Sequence, residues 1–271
     1  MTDLKIGVVG AGGRMGGAVV RQVTETDGYH VVAACDTTGN PAIGIDAGQV
    51  AGCGDLGVKV IENAAKVFDY ADVVIEFSLP TATAEHADYA GKVGCAHIVG
   101  TTGLTTQDEK ILKSAAERTT IVYAPNMSLA VNILFALTRQ VASMLNEEFD
   151  IEILEMHHRH KVDAPSGTAL GLGEAAAAGR GTTLKETGVL SRERIMDPRK
   201  SGAIGFATLR GGDVSGDHSV IFAAEGERLE LHHKAGSRQI FARGAVRGAF
   251  WAQDKPAGLY SMFDVLGLQI N

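Results

Sequence analysis

The order of apolar and polar positions separates the chain into two parts. In the first part, short apolar runs rich in β-branched residues alternate with helical patterns; the runs are IGVVG (6–10), HVVAACD (30–36), DVVIEFS (72–78), HIVGTT (97–102) and TIVYAP (120–125). Near-continuous apolar runs are typical of strands buried on both faces of a parallel sheet. The alternation predicts an α/β domain with a Rossmann-type, doubly wound parallel sheet. One of its helices is expected to begin with a capping box of Thr106 and Glu109.

The second part follows a long helix predicted from Ser128 onward. FDIEILEMH (149–157) alternates polar and apolar residues, and three further strand-like runs lie between 205 and 235, with turns at Gly211-Gly212 and Glu225-Gly226. This pattern favours a central α+β domain with a mixed, largely antiparallel sheet. The last segment is again predicted to be helical. We therefore expect one domain over 1–128, completed by 239–271, and a second over 129–238.

Composition narrows the classes of function. The net charge of −7 disfavours general binding to nucleic acid or to an anionic membrane. Cys35, Cys53 and Cys95 have no metal-ligand spacing and are odd in number, so buried free thiols are expected. The amino-terminal residues show no secretory pattern and no apolar run is long enough to span a membrane, so a cytoplasmic location is the expectation.

A glycine-rich loop, VVGAGGRMGG, follows the first predicted strand. The strict G-x-G-x-x-G pattern fails at Met15; Gly10, Gly13 and Gly16 fit at steps of three instead. Such a loop either makes a tight turn or lets backbone N–H groups approach a pyrophosphate at a helix N-terminus. Asp36, at the end of the second strand, favours dinucleotide binding because its carboxylate can bond the ribose hydroxyls of NAD.

The same carboxylate should repel the 2′-phosphate of NADP. Thr37 follows it where an arginine would favour NADP, although Arg14 in the loop could reach such a phosphate. We predict NADH as the preferred cofactor, with NADPH accepted as well. Two later loops, Gly100-Thr101-Thr102-Gly103 and Ala124-Pro125-Asn126-Met127, are either ordinary turns or part of the cofactor crevice at the carboxyl ends of the strands.

The stretch EMHHRHKVDAPSGTA (155–169) gathers titratable and cationic side chains. A zinc site is disfavoured because neighbouring histidines on a strand face opposite ways and two other cations lie nearby. A second alternative is structural: these residues would be polar side chains on the solvent-exposed face of a sheet edge. The third is an anion and proton-transfer site: His157 and Lys161, four apart, would share one side of an extended chain. A helix beginning near Pro165 and Ser166 would then offer its first N–H groups and the Thr168 hydroxyl to a carboxylate.

These motifs together resemble the dihydrodipicolinate reductase family of bacterial and plant lysine and diaminopimelate synthesis. The likeness includes GAGGRMG, the GTTG loop, EMHHRHKVDAPSGTA, GFATLRGGDVSGDHSV and HKAGSRQIFARGA. The resemblance implies hydride transfer from NAD(P)H to C4 of dihydrodipicolinate, or of its 4-hydroxytetrahydro precursor with loss of water. It also implies a small dicarboxylate as substrate and a homotetramer.

Site residues follow from the resemblance position by position. It implies that His157 is the catalytic acid/base and Lys161 the proton donor. It implies substrate contacts by four residues, one at the end of the predicted strand and three at the predicted helix start: His158, Ser166, Gly167 and Thr168. The implied cofactor contacts are Gly10, Ala11, Gly12, Gly13, Arg14, Met15, Asp36, Gly100, Thr101, Thr102, Ala124, Pro125, Asn126 and Met127, with no metal.

Two alternative functions would also explain part of this pattern. A non-catalytic NAD-sensing regulator would need the glycine loop but not the cluster of histidines, arginine and lysine. A reductase of another cyclic imine dicarboxylate would need both, and the sequence separates it poorly from the first interpretation.

Overall fold

The computed structural model describes residues 3–194 and 197–268. Its chain divides into two compact units: the first runs to Leu129 and resumes at Arg238, and the second is Ala130–Ser237. The described helices and strands of the first part of the chain are β1 (Leu4–Val9), α1 (Arg14–Thr24), β2 (Tyr29–Cys35), α2 (Ala47–Ala51), β3 (Val60–Ile61), α3 (Ala64–Tyr70), β4 (Val73–Glu76), α4 (Pro80–Val93), β5 (Ala96–Val99), α5 (Thr106–Ala115) and β6 (Thr120–Tyr123).

The remainder of the described chain begins with the helix that leads into the second unit. Its elements are α6 (Leu129–Met144), β7 (Asp150–His157), α7 (Gly167–Gly179), α8 (Leu184–Thr187), β8 (Gly188–Val189), β9 (Ile204–Arg210), β10 (Asp217–Ala224), β11 (Glu227–Lys234), α9 (Gln239–Ala252), β12 (Gly258–Tyr260) and α10 (Met262–Leu266).

The first unit contains a seven-stranded sheet in the order β12-β6-β5-β4-β1-β2-β3, in which every pairing is parallel. Its central strands are buried, as the apolar runs predicted; β4 has no exposed residue. Apolar residues of α1 and α9 join one core cluster of this sheet, and residues of α3 and α4 join another. The predicted Rossmann-type fold is confirmed.

Three local expectations for this unit were wrong. The capping box of α5 is formed by Thr105 and Asp108, one residue earlier than predicted, because Thr105 is the residue with extended backbone whose hydroxyl accepts from the N3 amide. The segment before α10, expected to be helical, contains β12, which extends the sheet beside β6. Cys35 and Cys95 are buried thiols as expected, but Cys53 is only half-buried.

The second unit is built on a five-stranded mixed sheet in the order β11-β10-β7-β9-β8. The Glu225-Gly226 turn joins the antiparallel β10–β11 hairpin as predicted. The Gly211-Gly212 turn does not make a hairpin, because β9 and β10 lie on opposite sides of β7, parallel and antiparallel to it. One face of β7 packs with α7 in a core that includes Ile151 and Ile153.

Candidate active site

The strand β7 brings Glu155 and His157 to the same buried face, because side chains two apart on a strand point the same way. The neighbouring strands complete the group: Arg210 of β9 lies in register with His157, and His218 of β10 lies in register with Glu155. Four polar side chains therefore meet where the carboxyl end of β7 leaves the sheet.

Glu155 is the centre of this group and is 1% exposed. Its Oε2 is 2.6 Å from Nδ1 of His157 and accepts from Nη1 of Arg210 at 2.8 Å. Its Oε1 accepts from Nη2 of Arg210 at 2.9 Å and from the backbone N–H of Ser166 at 3.1 Å. Burial raises the pKa of Glu155, but the bonds from Arg210, His157 and Ser166 outweigh it and hold the pKa below its ordinary value. The side chain is therefore a carboxylate.

Both histidines of the group are held neutral near pH 7. Burial lowers the pKa of His157, and the charges of Lys161 and Arg210 add to this, against the opposing effect of Glu155. Burial and the neighbouring His157 lower the pKa of His218 to about 4. The two rings are 5.1 Å apart between centroids. A neutral His157 that donates Nδ1–H to Glu155 keeps Nε2 as a proton acceptor.

Lys161 lies in a turn rather than on an extended strand. The strand β7 ends at His157, and the backbone N–H of Lys161 bonds the carbonyl of His158 at 3.1 Å. The expectation that an extended chain places His157 and Lys161 on one side was therefore wrong. Lys161 is nevertheless close enough for its charge to lower the pKa of His157, and its Nζ pairs with Asp163 at 2.7 Å.

The helix α7 begins where the sequence predicted it. Ser166 is its N-cap: the hydroxyl accepts from the backbone N–H of Ala169 and lies 3.2 Å from Nε2 of His218. Since its own N–H bonds Glu155, the polar groups of Ser166 serve the protein itself, which weakens its predicted role in holding substrate. Gly167 is exposed at the first turn, and a Cβ added there would meet nothing within 4 Å.

A metal site is an alternative for part of this group. One ligand atom from each of Glu155, His157 and His218 lies within 4.8 Å of the others. Both oxygens of Glu155 already bond the guanidinium of Arg210. A fixed cation beside the group opposes a second, divalent one. The donor set therefore suits proton transfer better than metal binding.

The glycine loop of the first unit has the close approaches that a dinucleotide cradle needs. Gly10 has φ +81°, and a Cβ there would lie 2.6 Å from the carbonyl oxygen of Phe77. A Cβ on Gly16 would overlap the backbone of Gly10. The carboxylate of Asp36 reaches the loop, accepting the N–H of Gly12 at 2.7 Å through one oxygen and that of Thr37 at 2.7 Å through the other.

A cavity of about 350 Å³ lies at this loop. Its described lining comprises Val9, Gly10, Gly13, Cys35, Asp36, Thr37, Asn40, Glu62, Ala64, Phe77, Ser78, Leu79, Ala82 and His86. The loops after β5 and β6 leave the carboxyl ends of neighbouring strands of the same sheet, where dinucleotides bind in folds of this kind. The glycine cradle and the acidic residue beside it fit such a cofactor.

Behind the cavity lies a buried network that the sequence did not reveal. Glu76, at the end of β4, is 0% exposed and bonds Nδ1 of His86 at 2.8 Å and Nε2 of His97 at 2.7 Å. Its other partners are the hydroxyls of Ser78 and Thr83. Thr101, predicted to contact the cofactor, is 2% exposed and its hydroxyl accepts from Thr83 at 2.9 Å.

The other predicted cofactor residues differ in how much surface they offer. Gly13, Arg14, Thr102 and Pro125 are exposed, whereas Ala11, Ala124 and Met127 are buried. Those with intermediate exposure are Gly10, Gly12, Met15 and Asn126. Gly100 is buried, and a Cβ there would overlap the ring of Phe77. Buried members of the set shape the loops rather than present side chains.

Glu155, Arg210 and His218 were missed as site residues, although two signals were available. Glu155 stands two positions before His157 on an alternating strand, so its face was readable from the sequence. Arg210 and His218 fall in the GFATLRGGDVSGDHSV segment, but their distance from His157 depends on strand order, which one sequence does not give.

Comparisons with known proteins agree with this picture. The family model "Dihydrodipicolinate reductase, N-terminus" matches residues 4–127, and "Dihydrodipicolinate reductase, C-terminus" matches residues 130–266. A protein of Chelativorans sp. (strain BNC1) named 4-hydroxy-tetrahydrodipicolinate reductase is 52% identical over 272 residues, covering 100% of this chain and 98% of its own. One of the same name from Brucella abortus (strain 2308) is 53% identical over 262 residues, covering 96% and 98%.

A solved structure, the dipicolinate-bound dihydrodipicolinate reductase of Paenisporosarcina sp. TG-14, has a TM-score of 0.74 at 22% identity and covers 97% of this chain and 99% of its own. At this identity the likeness shows the fold. The fold, the glycine cradle and the matching family model together define an oxidoreductase that uses a nicotinamide dinucleotide. The extent of both family matches and the identity to the relatives make it specific: the chain belongs to the dihydrodipicolinate reductase family. It is thus a reductase of lysine and diaminopimelate biosynthesis.

None of the described helices is both long enough and apolar enough to cross a membrane.

Proposed function

We propose that the chain reduces 4-hydroxy-tetrahydrodipicolinate, or dihydrodipicolinate formed from it by loss of water, to tetrahydrodipicolinate. A nicotinamide dinucleotide held at the glycine loop beside Asp36 would supply the hydride for C4 of the ring, and a proton from the protein completes the reduction. The observation that carries the proposal is the group around Glu155, in which a buried carboxylate fixes a neutral His157 beside Lys161 and the start of α7.

The chain's own residues supply the proton and hold the substrate. The ammonium of Lys161 donates the proton that the reduced ring requires, and His157, with Nδ1–H bonded to Glu155, accepts and returns protons through Nε2. The first turn of α7 offers backbone N–H groups, including those of Gly167 and Thr168. The positive end of the helix dipole lies at this turn, which suits a substrate carboxylate. His158, half-buried, adds a further polar contact.

A spectrophotometric assay tests this function. NADH and dihydrodipicolinate formed in situ are mixed with the protein, and cofactor oxidation is followed near 340 nm. We expect turnover that depends on both the substrate and the protein. Cofactor binding without oxidation would indicate the non-catalytic sensor instead, and turnover only with other cyclic imine dicarboxylates would reassign the substrate.

NADH is proposed as the preferred cofactor because the cavity beside the glycine loop is acidic. Asp36 and Glu62 line it, and no lysine or arginine is among its described lining residues. The 2′-phosphate of NADPH would add negative charge next to Asp36, against which Arg14 is the nearest cation along the loop. Steady-state kinetics with both cofactors should give the higher kcat/KM for NADH; a hundredfold preference for NADPH would refute the assignment.

A homotetramer in the cytoplasm completes the proposal. Support for association comes from the second unit, where Leu209, which is 48% exposed, lies in register with Met156 on the face of the sheet opposite α7. Light scattering coupled to size exclusion should give four times the 28.4 kDa chain mass. A monomer at micromolar concentration would contradict it. Cell fractionation would test the location.

A further inference from the structure

The guanidinium of Arg210 bonds two backbone carbonyls in addition to the carboxylate of Glu155. Nη1 and Nη2 bond the two oxygens of Glu155 at 2.8 and 2.9 Å, which is the forked geometry of a strong arginine–carboxylate pair. Nη1 also donates to the carbonyl of Leu209 at 2.6 Å, and Nη2 to the carbonyl of Asp163 at 2.6 Å. The side chain is 20% exposed. One guanidinium therefore joins the end of β9, the carboxylate of β7 and the loop that follows β7.

The first consequence concerns His157. Its Nδ1 bonds the same Oε2 of Glu155 that accepts from Arg210, so the two donors share one negative charge. The charged or titratable groups that act on this imidazole are Glu155 on its own strand, Arg210 on β9, His218 on β10 and Lys161 in the loop. Among these groups, Glu155 alone favours the imidazolium form of His157. Arg210 offsets the negative charge of Glu155, while the hydrogen bond between Glu155 and Nδ1 of His157 stays in place.

The second consequence concerns Lys161. Asp163 holds Nζ of Lys161 through its carboxylate at 2.7 Å and is itself held through its carbonyl by Arg210. Lys161 is on an irregular segment, which without such anchors would sample several positions. The same guanidinium thus fixes both groups assigned to proton transfer, one through Glu155 and one through Asp163.

We propose that Arg210 is a positioning residue for the reaction: it orients His157 through Glu155 and locates Lys161 through the backbone of Asp163. The inference rests on the proposed function for its kinetic part, since only an active enzyme gives a turnover to measure. Its electrostatic part, the effect of Arg210 on the pKa of His157, is measured on the protein without substrate.

Two substitutions separate charge from geometry. In Arg210→Gln the guanidinium charge is lost, so Glu155 should raise the pKa of His157 by about one unit. In Arg210→Lys the charge stays but the fork is lost, so that pKa should stay near the wild-type value. Both variants should lower kcat by about 10-fold to 100-fold through misplaced reacting groups, with the Kd for NADH unchanged.

The pKa of His157 is measured by NMR on the full-length protein with selectively labelled histidine, and the resonance is assigned with His157→Gln. Glu155→Gln provides a second reading: removing the carboxylate should lower the pKa of His157, opposite to Arg210→Gln. If Arg210→Gln fails to fold, Arg210→Lys still tests the positioning role through kcat, and Glu155→Gln tests whether the carboxylate raises the pKa of His157. Arg228→Gln on β11, whose side chain is 69% exposed, is the matched control and should change neither the pKa nor kcat.

The inference is overturned if Arg210→Gln leaves the pKa of His157 and kcat unchanged, or if Glu155→Gln raises that pKa. These results are distinct from failure of the proposed function. An inactive wild type whose His157 still responds to Arg210→Gln would remove the substrate assignment and keep the electrostatic link. An active wild type with unaffected Arg210 variants would remove the positioning role alone.

Discussion

Glu155 and Glu76 are both buried beside histidines, and the pKa values of His157 and His86 are shifted in opposite directions. Burial lowers the pKa of His157 despite its bond to Glu155, whose charge Arg210 also shares. Glu76 bonds His86 and His97 with no arginine among its described partners. Burial lowers the pKa of His86 as well, but the bond to Glu76 outweighs it, so that pKa is raised.

At the scale of single residues, the first prediction concerns the two groups assigned to proton transfer. His157→Ala and Lys161→Ala should each lower kcat by about 10² to 10⁴, the range expected when a general acid/base group is removed. The Kd for NADH, measured by fluorescence, should be unchanged. His30→Ala, whose side chain is 58% exposed in the first unit, is the control and should keep full activity. A loss below about threefold in both variants would remove the assigned roles.

The second prediction concerns Glu76. Because its bond raises the pKa of His86, that pair contributes stability that is complete below the unfolded pKa of histidine and is lost as pH rises through the folded pKa. Glu76→Gln should therefore cost about 3 to 5 kcal/mol of unfolding free energy at pH 6 and less at pH 9. Urea unfolding at several pH values measures this.

The control for this variant lies on the surface of α4, the helix that carries His86. Asp88 pairs with Lys92 and Arg118, and its side chain is 42% exposed. Asp88→Asn should cost at most about 1 kcal/mol, without a change between the two pH values. A Glu76→Gln cost that grew with pH would contradict the sign of the linkage.

At the scale of elements, two adjacent glycines of α1 should respond to alanine in opposite ways. A Cβ on Gly16 would overlap the backbone of Gly10, whereas one on Gly17 would have its nearest atoms at 3.8 Å. Gly17→Ala should stabilise the protein by about 0.5 to 1 kcal/mol through helix propensity. Gly16→Ala should displace the loop, lower the melting temperature and weaken NADH binding. Equal effects of the two changes would refute the close approach.

The same scale shows what a sequence pattern predicts well. The buried strands β1, β2, β4, β5 and β6 were recognised because apolar runs report burial on both faces directly. The N-cap of α5 was misplaced by one residue because Thr105 and Thr106 are adjacent and either hydroxyl could cap. β12 was missed because three residues are too few to show a period.

At the scale of the whole molecule, the first unit depends on a late segment of the chain. Helix α9 packs on β4, β5 and β6, and a Cβ added to Gly244 on that helix would overlap the carbonyl oxygen of Met127. Gly244→Val should therefore prevent normal packing, reducing both NADH binding and thermal stability. Gly248→Ala, whose nearest neighbour would lie at 3.5 Å, should leave both intact. Thermal unfolding and fluorescence titration compare the pair, and an unperturbed Gly244→Val would refute the contact.

The candidate site shows the limit of prediction at this scale. The residues in EMHHRHKVDAPSGTA were found because they are adjacent in sequence, and the start of α7 was readable from its cap. Arg210 and His218 reach His157 only because β9 and β10 flank β7, although β9 and β10 are consecutive strands that could equally have paired with each other. Strand order is settled by packing over the whole sheet, so these contacts needed the structure.

The return of the chain to complete the first unit also affects how the protein is made. During synthesis, residues 130–237 leave the ribosome after β6 and before α9 and β12. At about 5–20 residues per second, this delay is on the order of ten seconds. Throughout it the nascent sheet presents the open edge of β6 and the apolar surface that α9 later covers. We therefore expect the nascent chain, rather than the finished protein, to be the form most exposed to aggregation.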